Sequence, residues 1–600
     1  MILTSSVSAA GQVAELSKSS AWQKLNHFHR VDPVTELKRN LELFRNSQAD
    51  RAQINDDSQL EQKPECQMPA RFIFFKKNLP EASSWLMPRC PKWQHFSQGL
   101  AAKSVTLVFS SYYLGNPTSA FGHTFLRLNR DDVGHEHQSL LDSGVGFALS
   151  ATKQNSISYL LGGMLGWNLG EFSVVPYYLK VLEYNNFESR DLWEYDLNLT
   201  PEEIELLVAH LWELGHAQIH YSYLNHNCSS LVLAALEAAA PRLNLLGRLP
   251  FWVLPAESVK VLYQEPGLVG GFHYRASKRS QSEFALGGLS PGDRKEVTEI
   301  LETNAAPIVH GDDPARELDT VIDFIDYRYF KELLKGDVDV QRRKQAALVA
   351  RSQLPAEAGF DQQASIPAQE IPQTSHAPSR LQVGQLISRL GERSLLIGQR
   401  FALHDQLDPQ QGYPESSEIG FFDFGIRVLK QPSVIEDNQG TIRVDHLYAL
   451  NLKSYPDLTR LIPTSSWNFR LGAERTWDES CLNCVAGVIG AASGASFSVH
   501  KKLIATILLT GDLSTSTEFS SSPVKSRLGP EFNLRAIITP RLVFNINSTY
   551  LHLFFAGPPD TYRVTEEIRW TLAEPLAAGL KFQQLPRGDV ESSASLYYYY

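Results

Sequence analysis

The sequence predicts a two-part chain: an α+β thiol-bearing domain under a helical N-terminal cap, then an antiparallel β-barrel of about twelve strands. Three observations predict it. Cys228 opens an apolar helical run, Leu231 to Ala240, and a strand of period two begins at His123. Beyond a proline-bearing stretch at residues 352–380 the apolar period changes from helical to two and stays so to residue 600. The chain's 600 residues also exceed what one core holds, since single cores stop growing near roughly 250–300 residues.

In order along the chain, residues 1–100 read as a mainly helical cap, with Trp22 to Phe28 and Pro33 to Phe44 as candidate helices. A strand at Ser104 to Phe109 opens the thiol domain, expected over residues 101–285. From His123 onward, Phe125 and Arg127 fall on one side and Thr124, Leu126 and Leu128 on the other, a strand that holds the imidazole rigidly. Thr200 is an N-cap, with Pro201 at the first helical position and Glu203 closing a capping box; Gly215 stops that helix. In Tyr223 to Ser230, Cys228 begins a helix that carries Leu231, Val232, Ala235 and Ala239 on the same face and that Pro241 closes. A thiol there meets the positive end of the helix dipole and unpaired backbone N–H groups, which predicts a lowered pKa and a nucleophilic thiolate. His123 is the base such a nucleophile requires. Residues 286–351 carry charge at helical spacing and are expected to form a helical connector. Prolines 355, 367, 372 and 378 among Gln, Ala and Ser mark residues 352–380 as a flexible linker.

The barrel is expected over residues 381–600. In Thr441 to Lys453, Ile442, Val444, Tyr448, Leu450 and Leu452 alternate with Arg443, Asp445, Asn451 and Lys453; Trp467, Phe469, Leu471 and Ala473 repeat the pattern. A soluble β-sandwich alternates in the same way. The evenness of the segments, each near the roughly ten residues of a tilted membrane strand, and the final Leu596 to Tyr600 favour an outer-membrane barrel.

Composition narrows the function. A net charge of −10 and a pI near 6.0 exclude the basic face of a nucleic-acid binder. No phosphate loop or dinucleotide fingerprint occurs, and the glycines at 162, 163, 166 and 170 read as a turn; no cofactor is expected. Cys66 with Cys90 and Cys481 with Cys484 form two pairs and leave Cys228 alone, an arithmetic that suits an oxidising periplasm. Cys481 and Cys484 have the spacing of half a zinc site, but no second pair completes one, and no metal is expected. His135-Glu136-His137 reads as a polar hairpin loop, and the histidines at 210, 216, 220 and 226 as structural. Leu160 to Trp167 either lines a lipid groove or packs. No apolar run of eighteen residues exists for a membrane helix. Met1 to Ala10 lacks the charged start and apolar length of an export signal yet ends in a Val-Ser-Ala cleavage context, so an upstream start is expected. A lone Cys heading an apolar helix is, on its own, most often a small core residue.

Three motifs weigh against that bland reading. Through SYYLGNPTSAFGHTFLRL (Ser111 to Leu128), ESRDLWEYDLNLTPEEIELLVAHLWEL (Glu188 to Leu214) and YLNHNCSSLV (Tyr223 to Val232), the chain resembles the Lnb N-terminal periplasmic domain family over roughly residues 100–265. The resemblance implies a permuted papain-like fold, akin to NlpC-type peptidases and lecithin:retinol acyltransferase, in which His precedes Cys. It implies lipoprotein N-acylation, with Cys228 taking an acyl group as a thioester and His123 as general base. Asp142 is the candidate to orient His123; family members tend to carry Asn near the place of Gly146, and this chain departs from that. Ser111, Tyr112, Tyr113 and Asn227, with the Cys228 amide, are the candidate oxyanion and substrate contacts. The expected substrate is a phospholipid or lipoprotein, the expected place the cell envelope with the thiol domain in the periplasm. Two alternatives stay open: a peptidoglycan-directed cysteine peptidase or amidase, and a non-catalytic envelope binding protein anchored by the barrel.

Overall fold

The computed structural model describes residues 9–27, 31–50, 56–113, 121–130, 140–149, 162–163, 166–223, 225–303, 307–355, 366–367, 370–414, 416–431, 441–459, 461–476, 484–500, 502–519, 522–553 and 560–600. The chain divides into two compact units, residues 1–294 with 307–364, and residues 295–306 with 365–600. Met1 to Ser8 and His135-Glu136-His137 lie outside the described residues, as does half of the Leu160 to Trp167 stretch.

The first unit is built on a seven-stranded antiparallel sheet. Its strands are β1 (Ser104–Ser110), β2 (His123–Asn129), β3 (Ser143–Leu149), β4 (Asn168–Pro176), β5 (Leu192–Leu197), β6 (Ile219–Tyr221) and β7 (Val269–Arg275), in the spatial order β6-β4-β3-β2-β1-β5-β7. The period-two reading of β1 and β2 holds, and it assigns two faces. Val108 and Phe125, cross-strand partners, pack with Tyr177, Tyr184 and Leu192 on one face. On the other, the Thr124 hydroxyl meets Ser229 of the helix Cys228–Ala239 and Ser258 of the helix Pro255–Gln264, each at 3.2 Å. These buried hydroxyls seat both helices on β2, because each lone polar group in the core needs a partner.

The N-terminal helices belong to the same unit. Asp32 caps the helix Pro33–Ala49 by accepting from the Thr35 amide, with Pro33 at its start, the pairing of cap and proline that favours a helix. Trp22, Phe44, Phe75 and Trp85 form an aromatic core that also takes in Ala209 and Ala238, one from each of two helices of the thiol domain. Glu213 adds a polar fastening: its Oε1 accepts from the Ala70 and Arg71 amides at 2.8 and 3.1 Å, and its Oε2 pairs with the Arg71 guanidinium. Cys66 and Cys90 form a disulfide, and the Trp212 indole donates to the Cys66 carbonyl at 2.9 Å. The cap is therefore part of the domain's core. Thr200 and Glu203 form the expected capping box at the head of the helix Pro201–Leu214, and Gly215 ends it.

The second unit is a closed twelve-stranded antiparallel barrel. Its strands are β8 (Arg380–Ser388), β9 (Arg393–His404), β10 (Ser417–Gln431), β11 (Ile442–Ser454), β12 (Ser466–Thr476), β13 (Cys484–His500), β14 (Leu503–Thr515), β15 (Val524–Thr539), β16 (Leu542–Leu553), β17 (Thr561–Ala573), β18 (Leu576–Gln584) and β19 (Val590–Tyr599). Each pairs with the next, and β19 pairs with β8, from Glu591 opposite Ser388 to Tyr599 opposite Arg380. Closure decides between the two all-β readings, since a sandwich has open edges and this ring has none. Alternation then sets the faces. Ile489, Ile507, Leu509, Phe532, Trp570, Leu580 and Leu596 are exposed on the outside, while Arg400, Arg427, Arg475, Glu531, Arg535, Arg569 and Glu591 are buried. Apolar outside and charged inside is the inverse of a soluble barrel and the order that lipid selects. No helix among the described residues is long and apolar enough to cross a membrane.

The linker differs from its expected form at one end. Ser375, His376, Ser379 and Arg380 are buried in the second unit, and Ser379 exchanges backbone hydrogen bonds with Tyr600. Prolines there limit the backbone without preventing packing. Cys484, at the start of β13, is disulfide-bonded; Cys481 lies outside the described residues.

Candidate active site

Cys228 is the first residue of its helix, and Asn227 before it is the N-cap. The Asn227 carboxamide oxygen accepts from the Ser229 and Ser230 amides at 3.0 and 3.2 Å, and its nitrogen donates to the carbonyls of Tyr223 and Val253 at 2.9 and 2.5 Å. With every polar atom engaged, Asn227 fixes where the helix begins and so where the thiol sits. It holds the nucleophile and has no hydrogen-bonding capacity left for a substrate.

The sulfur lies against β2. Strands β2 and β3 pair only from Leu126 opposite Val145 to Leu128 opposite Ser143. Above that rung Thr124 bonds the hydroxyl of Ser229, the residue after Cys228, at 3.2 Å, which seats the head of the helix on β2. His123 is the residue directly before Thr124. Gly122 precedes it with φ +84°, and a Cβ there would come within 2.7 Å of the Phe109 ring and 2.8 Å of the Ser110 carbonyl oxygen. Only glycine meets both demands, which is why the histidine motif opens on one.

The His123 ring lies 5.4 Å from the Tyr184 ring and 6.1 Å from that of Phe125. Among the described residues, no group hydrogen-bonds the imidazole. A Cβ at Gly146 would stand 3.8 Å from its Nε2, so the missing side chain at Gly146 is one that would touch the ring. Tyr184 is buried, and burial raises its phenol well above the ordinary value; the charges of Glu183 and of an ionised Cys228 add to the rise, and that of Arg190 opposes it. Arg190 lies over the Tyr113 and Tyr184 rings at 5.1 and 5.4 Å and pairs with Glu188 at 2.6 Å.

Two expectations are corrected. Asp142 stands at the foot of β3, beyond the Leu128–Ser143 rung, at the opposite end of β2 from His123 and about 20 Å along the strand. It accepts from the Arg130 amide at 3.1 Å and lies 3.6 Å from the Arg127 Nε, so its charge is spent on arginines and it has no reach to the imidazole. The thiol also departs from its expected acidity. Burial pushes Cys228 above the ordinary thiol value, against hydrogen bonds from the Thr124, Ser229 and Cys228 amides that favour the thiolate. Desolvation of a charge outweighs a helix dipole here. Burial, then the charges of Lys180 and Arg190, pushes His123 down. Both groups consequently rest neutral, and neither carries the charge of an ion pair. Alkylation of Cys228 by iodoacetamide is expected to rise steadily from about pH 7 to about pH 10, whereas an ion pair would reach its plateau below about pH 7.

The other candidates divide. The Ser111 amide and hydroxyl both donate to the Asp191 carbonyl at 2.9 Å. Tyr112 meets Phe109 edge-on at 5.8 Å, with its phenol raised well above the ordinary value by burial and then by the charge of Glu257. Tyr113 carries Arg190 on its face. Tyr184 and Arg190 were not legible as site residues: Tyr184 sits in an irregular helical turn, Val181–Phe187, with no periodic signal. The histidines expected to be structural have ordinary partners. His210 is buried beside Glu213, and His216 and His220 each bond a backbone carbonyl, at 2.9 and 3.3 Å.

Comparison with known proteins agrees with this division. Residues 92–265 match the Lnb N-terminal periplasmic domain, and residues 369–600 match a domain of unknown function, DUF7840. No curated protein matches the chain. Among solved structures, an outer-membrane channel from Pseudomonas putida F1 aligns at 12% identity over 39% of this chain and 99% of that one, with a TM-score of 0.25. The KdgM porin aligns at 8% identity over 37% and 99% of the two chains, with a TM-score of 0.22. The outer membrane channel DcaP of Acinetobacter baumannii aligns at 9% identity over 37% and 96%, with a TM-score of 0.18. Within one chain, then, a segment that matches the Lnb N-terminal periplasmic domain is followed by a closed twelve-stranded barrel, and that pairing fits the cell envelope.

Proposed function

We propose that the protein is a cell-envelope thiol acyltransferase. The observation that carries the reading is Cys228 at a capped helix N-terminus, a helix whose Ser229 bonds Thr124, the residue next to His123, in a segment matching the Lnb N-terminal periplasmic domain. In the first half-reaction His123 takes the thiol proton as the sulfur attacks an ester carbonyl of a phospholipid. The Cys228 amide stabilises the oxyanion, the lysolipid alcohol leaves with the proton from His123, and a thioester remains. In the second, an amine such as a lipoprotein N-terminus attacks the thioester, gives up its proton to His123, and leaves as the amide with the thiol restored. A neutral imidazole suits a general base, which must be unprotonated before it acts. At 3% exposure Cys228 needs local opening before an acyl chain reaches it.

The test uses the full-length chain in detergent with phospholipid vesicles. Mass spectrometry of the Cys228 peptide is expected to show a fatty-acyl adduct that neutral hydroxylamine removes. If no acyl mass appears while purified peptidoglycan is cleaved by the wild-type chain and left intact by Cys228→Ala, the enzyme is an amidase and the proposal fails.

A further inference from the structure

We infer that the barrel is sealed by its own residues and serves as an anchor, not as a diffusion pore. Two independent sets of contacts in the second unit support the inference. The first is the connection between β9 and β10. Asp405 and Asp408, just after β9, are taken by arginines of three strands: Arg380 of β8, Arg400 of β9 and Arg569 of β17. The Tyr599 hydroxyl of β19 donates to Asp408 at 2.8 Å. On the far side, Arg535 of β15 donates to the Gln406 carbonyl at 2.9 Å and to the Gln410 side chain. In a ring of twelve, β15 stands opposite the β9–β10 connection, so these contacts span the lumen and hold residues 405–410 from both sides. Gly412 lets the loop turn, with φ +76° and Ser375 so near that a Cβ would come within 2.4 Å of it.

The second set bridges the walls directly. Arg475 of β12 pairs with Glu591 of β19 at 2.7 Å, although those strands stand five apart round the ring. Glu591 also takes Arg427 of β10 at 2.8 Å, and Arg563 of β17 donates to the Arg475 carbonyl at 3.4 Å. The polar cavity beside Arg427, Asp445, Lys581 and Glu591 has a volume of only about 90 Å³, room for a few waters and no sugar or peptide. Ion pairs that span a lumen exclude a continuous water column, and buried pairs resist removal of one partner.

His376, His404 and Asp408 lie together in the tied end, and the three offer metal-ligating atoms. The surroundings oppose a dication: His376 Nε2 and His404 Nδ1 hydrogen-bond each other at 3.1 Å, and the Asp408 carboxylate is shared among three guanidiniums and a phenol. They act as further ties of the seal.

Planar-bilayer recording on the full-length chain tests the inference. The wild type is expected to insert without stepwise ionic conductance. A variant lacking residues 406–414 and carrying Arg475→Ala and Glu591→Ala is expected to conduct in discrete steps, its insertion verified by heat-modifiable mobility. Steady ohmic steps from the wild type would overturn the inference, as would silence of the inserted variant. Should that variant fail to insert, the pair Gln410→Cys and Arg535→Cys decides: a cross-link formed by mild oxidation upholds the crossing loop, and its absence refutes it.

Discussion

Cys228→Ala is expected to lower acyl transfer by at least about a thousandfold while leaving the fold and barrel insertion unchanged. The substitution removes one sulfur atom at the first position of a helix, where alanine is well tolerated, and the Asn227 cap keeps all of its partners. Loss of activity is then loss of the nucleophile alone. Cys228→Ser sharpens the test, because a hydroxyl in the same buried place is far harder to ionise than a thiol that burial has already raised. His123→Gln keeps the polar bulk against Tyr184 and removes the base. It is expected to lose at least about a hundredfold in kcat with a KM near that of the wild type. Rates are measured by release of lysolipid from phospholipid vesicles. Activity of Cys228→Ala within about tenfold of wild type would end the thioester scheme.

The second large effect concerns stability. Arg71→Met leaves Glu213 buried with two backbone amides and no cation, and removing one partner of a buried pair costs about 3–5 kcal/mol. Urea unfolding of the full chain, followed by tryptophan fluorescence, is expected to show that loss, since Trp22 and Trp85 lie in the core that the Arg71 helix helps to build. The double variant Arg71→Met with Glu213→Leu is expected to recover most of it, because an apolar pair of similar volume leaves no charge behind. A single variant within about 1 kcal/mol of wild type would mean that water, not arginine, compensates the carboxylate. The pair also has a pH signature. Burial alone would raise Glu213, yet Arg71 prevails and holds it below its ordinary 4.5, so its contribution is full above that value and fades as acid protonates the folded carboxylate.

Period carried most of what the sequence could say. Strands β1 and β2, the capped helix at Thr200 and the ring of alternating segments all follow from local spacing, because each is fixed by neighbours one to four residues away. Cys228 was legible for the same reason: the head of an apolar helix after a Ser/Asn-rich turn is a local pattern. What escaped depends on where distant elements meet. Asp142 looked close to His123 because strand runs are read as neighbours, but the antiparallel turn leaves the start of β3, where Asp142 stands, at the far end of β2 from His123. Tyr184 reaches the imidazole across some sixty positions of sequence, from a turn with no period. The thiol's acidity was misjudged because a helix dipole is visible in sequence and the depth of burial is not.

The partnership of β8 with β19 bears on how the barrel is made. Those strands are drawn from positions roughly two hundred residues apart, so the contact that completes the ring is the one with the longest separation along the barrel and the greatest entropic handicap. Until it forms, every partly assembled species presents two unsatisfied strand margins, each a template for a neighbouring molecule. Assembly therefore has a single decisive late event, and a helper that shields both margins until they meet would govern the yield.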